Sequence, residues 1–290
     1  IGRYFKQELP NYAVFDERRY FSPGHSPLVV ELKGTRAGVI ICEDLWQAGP
    51  AAQAKAAGAE VLIAPNASPY RDDKLADRLA MFHKRLSDCG LPIVYCNLVG
   101  GQDELVFDGR SMFANAEGHY GIRAKPCNEE LPVLLLDSNA GDLCFEDEPD
   151  ATIKGADELL DEEDTIACIY SVLVRGLRDY VLKNGFKHVV LGLSGGVDSA
   201  LTLTLAVDAL GAKQVHAVMM PSRHTSQLSL ELAREQAQDL AVDYSEISIE
   251  PGFEAILQSL DKSFNGTDPD ITEENLQARV RGGLLMRSEE

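Results

Sequence analysis

No apolar run in this 290-residue sequence approaches the length of a membrane span, so it offers no transmembrane helix. Basic residues are scarce. Twenty-seven Lys and Arg stand against 46 Asp and Glu, a net charge of −19. That balance argues against a nucleic-acid or anionic-membrane surface, although it leaves room for a local phosphate site. The six cysteines (Cys42, Cys89, Cys96, Cys127, Cys144, Cys168) contain no CxxC pair, which suggests neither a zinc site nor a disulfide framework. Most stand in apolar surroundings, as in Val94-Tyr95-Cys96, and read as small core residues of a protein in a reducing cytosol. The six histidines lack HxxxH or HExxH spacing, so a protein-ligated metal is not expected. An initiating Met and a signal peptide are lacking as well. The strand-like start Ile1-Gly2-Arg3-Tyr4-Phe5-Lys6 is expected to lie inside a larger polypeptide.

What is present is globular in composition, 45% hydrophobic and 25% charged, and long enough for two domains. In the first part, Leu28 to Leu32 and Ala37 to Ile41 read as strands paired about the turn Lys33-Gly34-Thr35-Arg36. A helix over Ala51 to Gly58, a buried strand Val61 to Ala64, a helix Asp73 to Leu86 and a strand Ile93 to Cys96 follow. Gly109 to Tyr120 suggests a hairpin with its turn at Asn115-Ala116-Glu117-Gly118. Acidic residues then crowd Phe145 to Asp150 and Asp157 to Asp164, which reads as a connector with a solvated acidic face. Beyond it, a helix from Thr165 to Asn184 closes on Gly185. Strands at Val189, Val215 to Met220 and Ser245 to Ile249 alternate with helices at Ala200 to Leu210, Ser226 to Leu240 and Phe253 to Leu260. That alternation predicts a parallel α/β sheet with ligands beyond the carboxyl ends of its strands. The division expected is 1–140, a connector 141–164, and 165–290.

Two segments carry chemistry. In Leu191-Gly192-Leu193-Ser194-Gly195-Gly196-Val197-Asp198-Ser199 an apolar strand runs into small residues and then a helix. Backbone N–H groups and the positive end of the helix dipole can meet an anion there. The loop lacks the Gly-Lys-Ser/Thr ending of a Walker A motif. Without a ligand it would be only a Gly-rich strand–turn–helix corner. In Ile40-Ile41-Cys42-Glu43-Asp44-Leu45-Trp46 a cysteine stands where an apolar strand gives way to polar residues. Taken alone, such a cysteine is more often a packing residue.

The first of these segments resembles the Ser-Gly-Gly-x-Asp-Ser pyrophosphate loop of the N-type ATP pyrophosphatases, which split ATP to adenylate a substrate. The second, with Lys6 and Asn66-Ala67-Ser68-Pro69, resembles the glutaminase half of the nitrilase superfamily. Met219-Met220-Pro221-Ser222-Arg223-His224-Thr225-Ser226 and Thr272 to Gly282 are similar to NAD synthetases. The combination resembles that of the glutamine-dependent NAD synthetases. GMP synthetase and asparagine synthetase use other amidotransferase halves.

The resemblance implies a nitrilase-like α-β-β-α sandwich portion followed by a Rossmann-like parallel α/β ATP-pyrophosphatase domain. It implies Cys42 as nucleophile, with Lys6 stabilising the oxyanion. A lysine beside a thiol also favours the thiolate. Tyr12, Ser68 and Lys74 would hold glutamine, or else be a packing tyrosine, a turn serine and a surface lysine. Gly192, Leu193, Ser194, Gly195, Gly196, Val197, Asp198 and Ser199 would wrap the ATP phosphates. Asp198 would hold Mg²⁺ or serve only as a helix-start acid. Asn275, Arg279 and Arg223 would contact deamido-NAD, with Arg279 alternatively a surface helix charge. Small-molecule substrates, a homo-oligomer and a cytoplasmic location complete what the family implies, with no nucleic acid or membrane partner.

Two departures accompany the match. The family's triad glutamate lies upstream of the lysine, where only five residues stand here. It is expected in a preceding segment, and Glu43 is not its substitute. The Leu-Thr-Thr-Gly-Asn-Lys-Ser-Glu block expected after Met286 is replaced by Arg287-Ser288-Glu289-Glu290, so truncation at both ends is expected. Two other readings stay open: an amidotransferase of the same type with another acceptor, and a non-catalytic nucleotide-binding fragment.

Overall fold

A computed structural model describes residues 2–122, 125–137, 142–146, 154–161, 164–264 and 271–287. The chain divides into two compact units, residues 1–172 and 173–290.

In the first unit, β1 (Leu28–Leu32) and β2 (Thr35–Val39) form an antiparallel pair in which Leu32 faces Thr35. The two-residue turn between them has positive φ at Lys33 (49°) and Gly34 (89°), the combination that suits the right-handed twist of a hairpin. Next come α1 (Ala48–Ala56), β3 (Val61–Asn66), α2 (Lys74–Cys89) and β4 (Ile93–Asn97). Helical crossovers make β2, β3 and β4 parallel. Two hairpins follow, β5 (Val99–Gln102) with β6 (Leu105–Asp108) and β7 (Met112–Ala114) with β8 (Tyr120–Ile122). The main sheet has the order β1-β2-β3-β4-β7-β8.

Helix α2 turns Leu75, Leu79, Phe82, Leu86 and Cys89 inward at helical spacing, onto Leu62, Ala64, Ile93 and Tyr95 of the sheet. Gly90 ends it in the left-handed conformation (φ 60°), and its N–H reaches the Leu86 carbonyl at 2.7 Å. The same helix buries two arginines, Arg78 and Arg85. Arg78 meets Asp108 through two parallel hydrogen bonds of 3.0 and 2.8 Å, both side chains out of solvent.

β9 (Leu134–Asp137) and β10 (Asp142–Phe145) pair antiparallel, and Leu143 and Phe145 pack on Phe113. The predicted connector therefore begins inside the first unit's fold, because its acidic residues alternate with apolar ones that a sheet face can bury. Lys154 bridges to Tyr120, and α3 (Ala156–Asp161) and the start of α4 (Thr165–Lys183) also belong to this unit. Residues 147–153 and 162–163 of the acidic stretch lie outside the described residues.

Two further expectations are corrected. Residues 2–6 of the strand-like start form no strand, being tied down by side chains instead of a ladder. Cys96 is exposed: on β4, Ile93, Tyr95 and Asn97 point to the buried side, and Cys96 takes the opposite one.

The second unit is a three-stranded parallel sheet of β11 (Val189–Gly192), β12 (Val215–Met219) and β13 (Asp243–Glu246), in that order. The third strand sits slightly earlier than the predicted Ser245 to Ile249. Helices α5 (Val197–Leu210) and α6 (Gln227–Asp239) bury Leu203, Ala206, Ala233 and Ala237 with Ala217 and Met219. After α7 (Glu250–Phe264), helix α8 (Ile271–Arg287) packs Val280, Leu284 and Leu285 beside Val190, Val218 and Met220. Among the described residues no helix is long and apolar enough to cross a membrane.

Removing one partner of the buried Arg78–Asp108 pair leaves an uncompensated charge, whereas removing both does not. Asp108→Ala is expected to cost about 3–5 kcal/mol in urea unfolding followed by the single tryptophan, Trp46, and Arg78→Met/Asp108→Leu most of that less. Equal losses in the single and double variants would contradict the pairing.

Candidate functional site

Each unit holds one constellation. In the first, β2 ends at Val39 and the chain turns at Cys42 into a short 3-10 turn, Cys42–Leu45. Cys42 has φ of 50°, an uncommon conformation for a residue with a side chain. The Ala67 N–H, just past the end of the parallel neighbour β3, reaches the Cys42 sulfur. Burial pushes the thiol above its ordinary pKa. The Lys6 charge and the Ala67 N–H pull it back, and Glu43 and Glu17 add to the rise.

Lys6 is clamped by Glu17, whose two carboxylate oxygens accept from Nζ at 2.6 and 2.7 Å. The Tyr12 hydroxyl donates to Glu43 Oε2 at 2.9 Å. Burial and that carboxylate push its pKa up to about 12. Glu43 is thus engaged with a phenol. Lys74 opens α2 with Nζ 4.4 Å from the Trp46 ring centre, a cation–π contact. Burial, then Arg78, holds its pKa below the usual lysine value, and the Cys42 thiolate opposes that shift.

Tyr12 and Lys74 therefore flank the cysteine. The Ser68 hydroxyl accepts from Arg78 at 3.4 Å. The Ser68 side chain is buried toward Arg78, which donates to the Ser68 carbonyl at 3.0 Å, and the Ser68 N–H donates to Asn97 Oδ1 at 2.9 Å. Glu17 and Asp44 were given no role from the sequence, although Asp44 stands in the quoted Cys42 segment. Glu17 becomes visible only when the chain folds it onto Lys6, eleven positions earlier.

In the second unit, β11 ends at Gly192 and Leu193 is buried, its N–H on the Val218 carbonyl at 2.9 Å. Gly195 turns with φ of 76°, and a Cβ there would lie 2.3 Å from the Ser229 carbonyl oxygen. No other residue fits. The loop's own hydroxyls fill it: the Ser194 N–H donates to Ser199 Oγ at 3.2 Å, and the Gly196 N–H to Ser194 Oγ at 3.3 Å. Gly196 precedes α5, so Val197, Asp198 and Ser199 form the positive end of that helix, with Asp198 exposed.

A cavity of about 360 Å³ opens beside the loop, lined by Gly192, Leu193, Ser194, Met219, Met220, Thr225 and Arg281. Arg281 donates from Nε to the Met220 carbonyl at 3.2 Å and was not singled out from the sequence. Asn275 and Arg279 lie on the exposed side of α8, outside that lining. Arg223 is turned to Glu250, whose Oε2 accepts from Nε at 2.9 Å, and to Glu254 at 2.8 Å. Its charge is neutralised by two carboxylates rather than offered to the cavity.

Residues 1–139 match the carbon-nitrogen hydrolase family and residues 169–289 the NAD synthase family. The glutamine-dependent NAD(+) synthetase of Xanthomonas campestris pv. campestris is 50% identical over 285 residues, 98% of this chain and 50% of that protein. Over nearly its whole length the chain is similar to the glutamine-dependent NAD(+) synthetase family. The Acinetobacter baylyi synthetase is 45% identical over 286 residues, 99% of this chain and 51% of that protein. A solved glutamine-dependent NAD+ synthetase from Acinetobacter baumannii, in complex with ADP, has a TM-score of 0.87 at 42% identity, covering 97% of this chain and 51% of that one. The Cytophaga hutchinsonii synthetase, 19% identical with a TM-score of 0.76, shares the fold over 98% of this chain and 54% of that one. The chain spans about half the length of the curated relatives it matches. The nitrilase-like first unit and α/β NAD synthetase second unit are the fold class expected for this family.

The electrostatics at Cys42 carry a pH test. A raised thiol pKa delays the thiolate to higher pH, and deleting a positive charge that favours the thiolate delays it further. Lys6→Met is therefore expected to move the midpoint of Cys42 alkylation by iodoacetamide upward by about half to one pH unit, read by peptide mass spectrometry. An unchanged midpoint would remove Lys6 from the site.

Proposed function

We propose that this chain carries the glutaminase and adenylation centres of a glutamine-dependent NAD+ synthetase. The observation that carries the reading is the occurrence, on one chain, of a buried strand-end thiol beside a lysine and of an anion-suited Ser-Gly-Gly loop beside a cavity.

At the first centre, the Cys42 thiolate attacks the side-chain amide carbon of glutamine, ammonia leaves, and water hydrolyses the thioester to glutamate. Lys6 supplies positive charge for the tetrahedral oxyanion. The Ala67 N–H favours the thiolate. Tyr12 and Lys74 flank the glutamine, while Ser68 acts through its backbone, whose position Arg78 and Asn97 fix. The carboxylates of Glu17 and Glu43 are committed to Lys6 and Tyr12.

At the second centre, ATP lies along the loop from Gly192 to Ser199. The deamido-NAD carboxylate attacks the α-phosphorus, pyrophosphate leaves, and ammonia then displaces AMP to give the amide of NAD+. Ser194 and Ser199, now bonded within the loop, release its N–H groups to phosphate oxygens. The Acinetobacter baumannii relative is solved in complex with ADP, which supports an adenine nucleotide as a ligand of this chain. The exposed carboxylate of Asp198 would hold Mg²⁺, which would supply positive charge against the phosphates when bound. Arg281, at the cavity wall, joins Asn275 and Arg279 as a substrate contact, and Arg223 orders the strand-end loop through Glu250. The six free thiols fit a reducing compartment, the cytoplasm.

The test uses the full-length gene product with ATP, Mg²⁺ and deamido-NAD, supplied with glutamine or with ammonium. Cys42→Ala is expected to abolish glutamine-driven NAD+ formation and leave the ammonium-driven rate within about twofold. Gly195→Ala, which forces a Cβ onto the Ser229 backbone, is expected to lower both by more than about a hundredfold, a loss of at least ~2.7 kcal/mol in transition-state stabilisation. If the unaltered enzyme makes no NAD+ from either nitrogen source, the acceptor is another carboxylate.

A further inference from the structure

Asp44 stands two residues after Cys42, in the same 3-10 turn, and is fully buried. A buried carboxylate must be satisfied by hydrogen-bond donors. Asp44 has four. Its Oδ1 accepts the N–H groups of Gln7 at 2.9 Å and Glu8 at 2.7 Å. Its Oδ2 accepts the Tyr4 hydroxyl at 2.8 Å and the Ile41 N–H at 3.0 Å.

The Ile41 bond caps the turn that begins at Cys42. The other three donors come from residues 36 to 40 positions earlier, and they straddle Lys6. That segment has no strand to fix it. The Lys6 carbonyl accepts from the Gly24 N–H at 2.8 Å, but among the described residues no ladder joins the segment to β2, the strand that leads to Cys42. We infer that Asp44 is the positioning residue that holds the Lys6 segment against the Cys42 turn, and so sets how strongly the lysine acts on the thiol. The inference rests on the pairing of Lys6 with Cys42 proposed above, and adds the group that enforces it.

Asp44's own charge and its positioning role predict opposite signs. Deleting a negative charge near a thiol favours the thiolate and lowers its titration midpoint. Releasing Lys6 removes a positive charge and raises it. The experiment measures the pH dependence of Cys42 alkylation by iodoacetamide, by peptide mass spectrometry, in the unaltered protein, Asp44→Asn, Lys6→Met and the double variant. Trp46 fluorescence checks the fold.

Asp44→Asn is expected to raise the midpoint by about half to one pH unit and to slow alkylation at pH 7 by about three- to tenfold. In the Lys6→Met background it is expected to add no upward shift. Tyr4→Phe removes one donor and leaves three. It is expected to shift the midpoint the same way by less, and it decides the matter should Asp44→Asn fail to fold, an unshifted midpoint then counting against the inference. A midpoint that falls or stays put in Asp44→Asn, or rises equally with and without Lys6, overturns the role. If Lys6→Met itself leaves the midpoint unmoved, the Lys6–Cys42 pairing fails first and this inference with it.

Discussion

Parallel pairing is the constraint on which both sites depend. Parallel neighbours end at the same side of a sheet, so whatever follows each strand meets at one edge. In the first unit, β3 and β4 end level, Asn66 opposite Asn97, while β2 ends opposite Ile63 and the chain runs on three residues to Cys42, beside the Asn66-Ala67-Ser68 stretch. In the second, β11 and β12 end at Gly192 and Met219, and the cavity opens beyond them. Residues far apart in sequence become neighbours there without any loop having to reach.

Behind the first edge lies a polar layer that an apolar core would not need. Arg78 spans from Asp108 to the Ser68 carbonyl, and Asn97 takes the Ser68 N–H while donating to the Gly109 carbonyl at 2.9 Å. Buried ion pairs contribute little net stability against apolar replacements. What this one does is fix the backbone of a short stretch whose preceding N–H meets the Cys42 sulfur. The thiol is held between opposing influences. Burial raises its pKa, and a lysine and a backbone N–H lower it. The balance depends on geometry, so small displacements of the surrounding chain change reactivity.

Much of this was legible in the sequence, for reasons that can be named. The Ser194-Gly195-Gly196 loop and the Cys42 corner are local: strand, turn and helix signals lie within ten residues of each. The turn at Lys33-Gly34 and the cap of α6, where Ser226 Oγ accepts the Ser229 N–H at 3.1 Å, are equally local. Asp44 and Arg281 escaped because their partners lie 36 to 61 residues away. Cys96 was misassigned because an apolar run does not say which residues of a strand face the core. β10 was hidden by acidic neighbours, and residues 2–6 looked like a strand because side-chain anchoring leaves no pattern distinct from a ladder. Arg223 drew attention as a cation, and two glutamates on a following helix take that cation up.

The central claim is that Cys42, among six thiols, is the one built to attack the glutamine amide. The most direct measurement treats the protein with a glutamine analogue bearing a diazoketone in place of the side-chain amide and maps the adducts by peptide mass spectrometry. The account predicts a carbon–sulfur adduct confined to Cys42, slowed by added glutamine and absent from the more exposed Cys96. Labelling that follows exposure, with Cys96 first and no protection by glutamine, would contradict it.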